Sequence, residues 1–280
     1  MTAVVLALAA AMLWGTGDFF GGLATRRLSV LTVLFWSQLV GLLGLVVWIV
    51  VSGAERPGEG LLYAAGAGIA GAIGLGCLYR GLAVGAMGIV APISATSPIV
   101  PLAVSVLRGE SPTALQWGGI AFALCGIVLV SREPPGKDGG AGGRVAAGVG
   151  LALVAALGFG VFVVGLGEAA QESAPWATAT ARLSSVTALV LALAWTRTVP
   201  RVSRRLLPLV LAVGAFDTGA NALIAIATTH GSIGIVAVLS ALYPIMTILL
   251  ARAVLHERLG PTRTAGGLVA LGGAALIAAG

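Results

Sequence analysis

Three ionisable side chains, Asp18, Arg182 and Asp217, stand inside long apolar runs rather than in the polar breaks between them. A charge deep in hydrocarbon costs about 2.5–3.5 kcal/mol on insertion scales, so each needs a partner or a watery cavity. Arg182 and Asp217 fall at similar depths on consecutive runs and form a candidate ion pair. Two readings stay open. The pair neutralises itself and locks two helices together, or Arg182 binds a substrate carboxylate or phosphate with Asp217 as its counter-ion in the empty site. A guanidinium suits the second role because its planar fork makes two parallel hydrogen bonds to a carboxylate. Asp18 is a proton-coupling candidate, since carboxylates within membrane segments serve as proton relays. It fits equally well as a residue orienting its own helix end near Arg26 and Arg27.

Other polar and aromatic residues fall close to these charges. Gln38 lies at a depth comparable to Asp18, and Asn221 sits one turn beyond Asp217. Pro92, Pro98, Pro101 and Pro244 interrupt two apolar runs, with Ser94, Thr96, Ser97, Ser240 and Tyr243 around them. Proline removes a backbone hydrogen bond and kinks a helix, and the freed groups are tolerated where they line a cavity. Pro98 and Pro244 are the expected kinks. The hydroxyls either line a pathway or bond back to their own helices. Trp14, Trp36 and Tyr79 offer aromatic faces to a substrate, or anchors at the membrane interface. His230, near a helix end, reads as solvated. The candidate substrate-binding set is therefore Arg182, Asp217, Trp14, Gln38, Tyr79, Ser94, Tyr243 and Asn221.

The elements that position these residues follow from composition. Of 280 residues, 58% are hydrophobic and only 9% charged, with a mean hydropathy of +1.05. Soluble domains carry roughly 25% charged residues to keep their surface wet, so a soluble fold is excluded. The net charge of +6 does not indicate nucleic-acid binding, because the basic residues sit in short gaps between apolar runs rather than along a stripe. Cys77 and Cys125 lie within apolar runs, without a CxxC or a nearby His, so neither a metal site nor a disulfide framework is expected. No Gly-rich phosphate loop, HExxH or GxSxG occurs, so neither a cofactor nor an enzyme activity nor ATP hydrolysis is expected.

A membrane helix needs about 20 mostly apolar residues. Ten candidates emerge, at 3–24, 30–52, 60–80, 86–107, 113–131, 146–167, 175–196, 206–228, 232–254 and 262–279. The first is read as a span rather than a secretion signal, because no basic residue precedes it and its apolar run continues. The expected class is an all-α membrane protein. Residues 1–131 form one five-helix repeat, 132–145 a polar Gly/Pro-rich linker, and 146–280 a second five-helix repeat.

The halves answer each other in sequence. GIVAPISATSP (88–98) matches GIVAVLSALYP (234–244), VLRGESPT (106–113) matches VLHERLGPT (254–262), and ALAAAMLWG (7–15) matches ALVAALGFG (152–160). Five crossings per half is odd, so the second half must enter the bilayer inverted. Inverted repeats place a substrate site near the midplane at their interface. Thirteen of the sixteen basic residues fall in loops after odd-numbered helices. The positive-inside rule then puts those loops in the cytoplasm and both termini outside.

The stretch from Gly234 to Ile277, with its LSALYP helix, HER turn at 256–258 and glycine-rich last helix, resembles the EamA domain of the drug/metabolite transporter superfamily. Trp14-Gly15 is similar to the WG that opens many such domains. This chain departs from that pattern at Asp18, and at Arg108 to Pro112, where no Arg follows the Glu. The resemblance implies a ten-helix carrier of small metabolites, often an exporter, and it implies cytoplasmic termini where the charge distribution places them outside. The expectation is a secondary transporter for an amino acid or similar solute, working by alternating access in the bacterial inner membrane. Its partners would be a small-molecule substrate and the lipid bilayer, with no nucleic acid, and a monomer would suffice. A channel, a receptor or an intramembrane enzyme are the other classes.

Overall fold

The computed structural model describes residues 1–84, 90, 93–131, 142–255 and 260–280. Among the described residues there are ten helices and no strand. They are α1 (Thr2–Thr25), α2 (Val30–Ser52), α3 (Gly60–Val84), α4 (Ile99–Leu107), α5 (Ala114–Ser131), α6 (Gly142–Thr196), α7 (Leu207–Thr228), α8 (Ile233–Ser240), α9 (Tyr243–Leu255) and α10 (Pro261–Ala279). Six stretches within these helices are long and apolar enough to cross a membrane, including Thr2–Thr25, Val30–Ser52 and Leu207–Thr228. The apolar helices Ala114–Leu129 and Thr264–Ala279 are shorter.

Local chemistry sets the helix ends. Ser29 caps α2 by accepting the Thr32 N–H at 3.3 Å, and α2 ends at Gly53, whose φ of 60° is left-handed. Glycine adopts that conformation without a Cβ clash, so it stops the helix cleanly. The expected linker, 132–145, lies partly outside the described residues, and its last four residues already belong to α6.

The two helices expected at 146–167 and 175–196 are both present, as the two arms of α6, whose 55 residues are bent at a kink. Run straight at about 1.5 Å per residue, it would be roughly 80 Å long, against roughly 30 Å of hydrocarbon. It breaks instead at Ser173 (φ −162°, ψ 106°), two residues before Pro175. Proline offers no N–H to continue the ladder. Both arms then lie along α3. A Cβ on Gly165 would sit 2.9 Å from the Tyr63 carbonyl oxygen, and one on Gly68 would overlap the Ala181 carbonyl. The polar residues Glu168, Gln171 and Glu172 therefore remain helical although they interrupt the apolar pattern.

The expected kinks also take another form. The run 232–254 is divided into α8 and α9 by a turn at Ala241 and Leu242, and Pro244 is the second residue of the new helix. Residues 95–98 form the corresponding turn before α4, with Pro98 as its N-cap. Each proline opens a helix instead of bending a continuous one, which is where its fixed φ and missing N–H cost least.

Packing relies on small residues. Ala3, Ala7, Ala10 and Ala11 are buried on one side of α1, within a core that includes Ala220, Ile224 and Ala227 of α7. In lipid, where hydrophobic exclusion does not hold helices together, such residues let backbones approach closely. Large apolar side chains face outward instead, among them Val51, Leu62 and Trp195. An exposed apolar belt of this kind suits hydrocarbon rather than water.

One contact is made twice. A Cβ on Gly15 of α1 would overlap the Tyr243 carbonyl oxygen of α9, and one on Gly160 of α6 would lie 2.8 Å from the Ser97 carbonyl oxygen before α4. Likewise Gly68 of α3 packs against the Ala181 carbonyl, and Gly214 of α7 against that of Ser37. Gly15 and Gly160, and Ser97 and Tyr243, are equivalent positions of the two halves in the matched segments. Each half thus presents the same surface to the other.

Candidate functional site

Close approach of α2 and α7 assembles the charged centre. A Cβ on Gly41 would overlap Thr218 Oγ1, and one on Gly214 would lie 3.1 Å from Ser37 Cα. Because neither glycine carries a side chain, Gln38 on α2 and Asp217 on α7 both reach Arg182 on the second arm of α6. Arg182 Nη1 donates to Gln38 Oε1 at 2.7 Å and lies 2.7 Å from Asp217 Oδ2. The Arg182 side chain is only 5% exposed, whereas that of Asp217 is 37% exposed. The guanidinium is therefore held behind the carboxylate it neutralises. Charge-assisted bonds of this length are among the stronger polar contacts in a protein.

Asp217 faces a cavity of about 510 Å³ enclosed by both halves. Trp14, Asp18, Gln38, Arg182, Asn221 and Tyr243 also line it, as does Pro98. Asp18 is exposed there and has no hydrogen-bond or ion-pair partner among the described residues. Trp14 and Tyr243 meet edge to face, their ring centroids 6.0 Å apart at 78°. Asn221 Nδ2 donates to the Asp217 carbonyl at 2.8 Å, while its Oδ1 is buried and has no donor among the described residues. A buried polar atom left this way costs about 1–3 kcal/mol.

Not every expected residue reaches the cavity. Ser94 is buried outside its lining and its hydroxyl donates to Val90 O at 3.0 Å. Pro244 is also outside the lining. The Tyr79 side chain lies outside the described residues. Trp36 is a fastener rather than a wall, its indole N–H donating to Pro200 O at 2.8 Å. Conversely, Phe159 and Phe162 line the cavity without having been singled out from sequence. The repeat carried a signal for Phe159, which answers Trp14 in the ALAAAMLWG/ALVAALGFG match.

The cavity extends along α1 and α2 to Thr25 and Val30, at the turn joining those helices. Toward the opposite end, polar contacts tie the halves together. Ser105 Oγ accepts the Gly234 N–H at 2.9 Å, Glu172 Oε1 accepts that of Gly60 at 3.0 Å, and Trp176 donates to Ala54 O at 2.9 Å. Arg108 forms an ion pair with Glu168. Accepting from Gly60 places the Glu172 carboxylate at the positive N-terminal end of α3, where the helix dipole favours it.

Fold and site together define a multi-pass integral membrane protein with a charged internal cavity between two repeated halves. The chain belongs to the EamA-like transporter family, which matches residues 1–132 and 146–279. It is thus a membrane transporter of the drug/metabolite transporter type. It is similar to a solved crystal structure over 98% of this chain and 95% of the other, with a TM-score of 0.82 at 19% identity, a likeness of fold. It is also 29% identical over 136 residues to "Uncharacterized protein MJ1333.1" of Methanocaldococcus jannaschii. That match takes 46% of this chain and 96% of the relative, whose length is thus about that of one half.

Proposed function

We infer that the protein is a secondary carrier that moves a small polar organic solute, such as an amino acid, by alternating access. The observation that carries this reading is the Arg182–Asp217–Gln38 centre on the wall of a cavity of about 510 Å³ between the two halves. Ligand cavities for small molecules span about 300–1,000 Å³, so one metabolite fits and a macromolecule does not. Arg182, Asp217, Gln38, Asn221, Trp14 and Tyr243 form the binding set, and Asp18 exchanges a proton during the cycle. Tyr79 is a further candidate for this set, and Ser94 is a supporting position outside it.

Ten crossings, as two inverted five-helix units, account for the swapped contacts of Gly15 and Gly160. The two arms of α6 are separate crossings, and α8 with α9 makes one. An odd number per half reverses the second half relative to the first, and inverted repeats of this kind rock about a site at their interface. The cavity extends toward the α1–α2 turn, and the halves are tied at both ends, by Trp36 to Pro200 at this one and by Ser105 and Glu172 at the other. With the basic loops inside, the end of the cavity at Thr25 and Val30 lies on the cytoplasmic side, the direction from which an exporter or exchanger loads. The address that fits this role is a bacterial inner membrane.

Counterflow in reconstituted vesicles tests the reading. A panel of labelled amino acids and related metabolites is offered outside vesicles preloaded with the same unlabelled compound. The expected result is transient accumulation that depends on the preload, because a carrier reorients faster when loaded. Uptake of a compound with no stimulation from the far side indicates a channel and rejects the carrier.

A further inference from the structure

The cavity is not electrically neutral. Among the described residues, its lining holds two carboxylates, Asp18 and Asp217, against one guanidinium, Arg182. Arg182 is spent behind Asp217 and Gln38 and shows 5% of its side chain. What faces the open space is therefore acid, and low-dielectric walls focus the resulting field. A further feature points the same way. The Trp14–Tyr243 pair borders the same space, and aromatic faces attract cations by about 0.5–2 kcal/mol.

We propose that this cavity selects solutes bearing a positive charge, an amine or the ammonium end of a zwitterion, with Asp18 as the free counter-charge. This reverses the role expected from sequence, in which Arg182 receives a substrate anion. Arg182 instead positions Asp217. The proposal rests on the carrier reading for the cavity's role as the substrate site, whereas the charge of the cavity can be measured independently of transport.

A thiol placed beside Asp18 reads that charge. Gly22 lines the cavity one helical turn from Asp18, and a Cβ there meets nothing within 4 Å. Gly22→Cys is made with Cys77→Ser and Cys125→Ser, and purified protein in neutral detergent is labelled with cationic and anionic methanethiosulfonates. Rates are normalised to those of a free thiol at about pH 8, where a thiol reacts as its thiolate. The expected result is labelling about tenfold or more faster by the cation, as focusing fields produce, with most of that preference lost in Asp18→Asn. Equal rates, or a faster anion, overturn the charge selection, and a preference unchanged in Asp18→Asn overturns the role of Asp18. A cationic preference together with counterflow only of anionic solutes also sinks the proposal while leaving the carrier intact. A cationic preference without trans-stimulation of any solute rejects the carrier and leaves the cavity's charge as described.

Discussion

Nη1 of Arg182 lies 2.7 Å from Oδ2 of Asp217, joining the second arm of α6 to α7 across the cavity wall. Removing one partner of a fully buried pair costs about 3–5 kcal/mol, because the other charge is left uncompensated. The 37% exposure of Asp217 reduces that figure here. Arg182→Gln is expected to lower the unfolding temperature and abolish transport. Adding Asp217→Asn is expected to restore part of the stability but none of the transport. A double-mutant cycle by thermal unfolding in detergent checks this, and additive single effects would show that the pair is not coupled.

The Arg108–Glu168 pair is expected to behave differently. Its side chains are 50% and 24% exposed, and such pairs are worth about 0–1 kcal/mol. Arg108→Ala should therefore shift stability by no more than that range. A loss as large as that of Arg182→Gln would mean that this end of the protein is drier than its exposure indicates.

The repeated glycine contacts predict matched injuries. Gly15→Val and Gly160→Val each force a side chain against the backbone of the opposite half, and overpacking of this kind costs about 1–3 kcal/mol. Gly44→Ala, where a Cβ meets nothing within 4 Å, is the control and should be neutral or slightly stabilising. Thermal unfolding of the three variants separates these outcomes. Tolerance of valine at both Gly15 and Gly160 would contradict the close approach.

Much of the fold was legible because apolar runs end at chemically marked positions. The second helix, 30–52, was readable to the residue, since Ser29 and Gly53 are a strong cap and a strong stop. The extension of the first arm of α6 through Glu168, Gln171 and Glu172 was not, because polar residues that bond to Arg108 beyond α4, to α7 and to α3 look the same in sequence as a loop. Gln171 Nε2, for example, donates to Thr228 O at 2.9 Å. The charged centre was half legible. Charges stranded in apolar runs draw attention to Arg182 and Asp217 on cost alone. Which hydroxyls reach the cavity was not readable, because lipid-facing and partner-facing sides of these helices are similarly apolar and leave no period to follow. Ser94 and Ser97 differ by one helical turn, yet only Ser97 lines the cavity.

Parity of the crossings has its own check. With Cys77 and Cys125 replaced by serine, single cysteines at Thr2 and at Lys137 are expected to react with an impermeant maleimide from opposite sides of sealed vesicles. An odd number of crossings lies between them in the proposed topology. Reaction of both from the same side would require an even number and would remove the inversion.

The corner at Ser173 has a practical consequence. Only one residue there leaves helical geometry, so the chain reverses without spare length for an outside agent to grip. A protease needs several extended residues to cut, and an inserted affinity tag needs slack on both sides to remain tolerated. Efforts to nick, tag or raise antibodies against this face should therefore fail at Ser173, and the turn after Gly53 is the better handle.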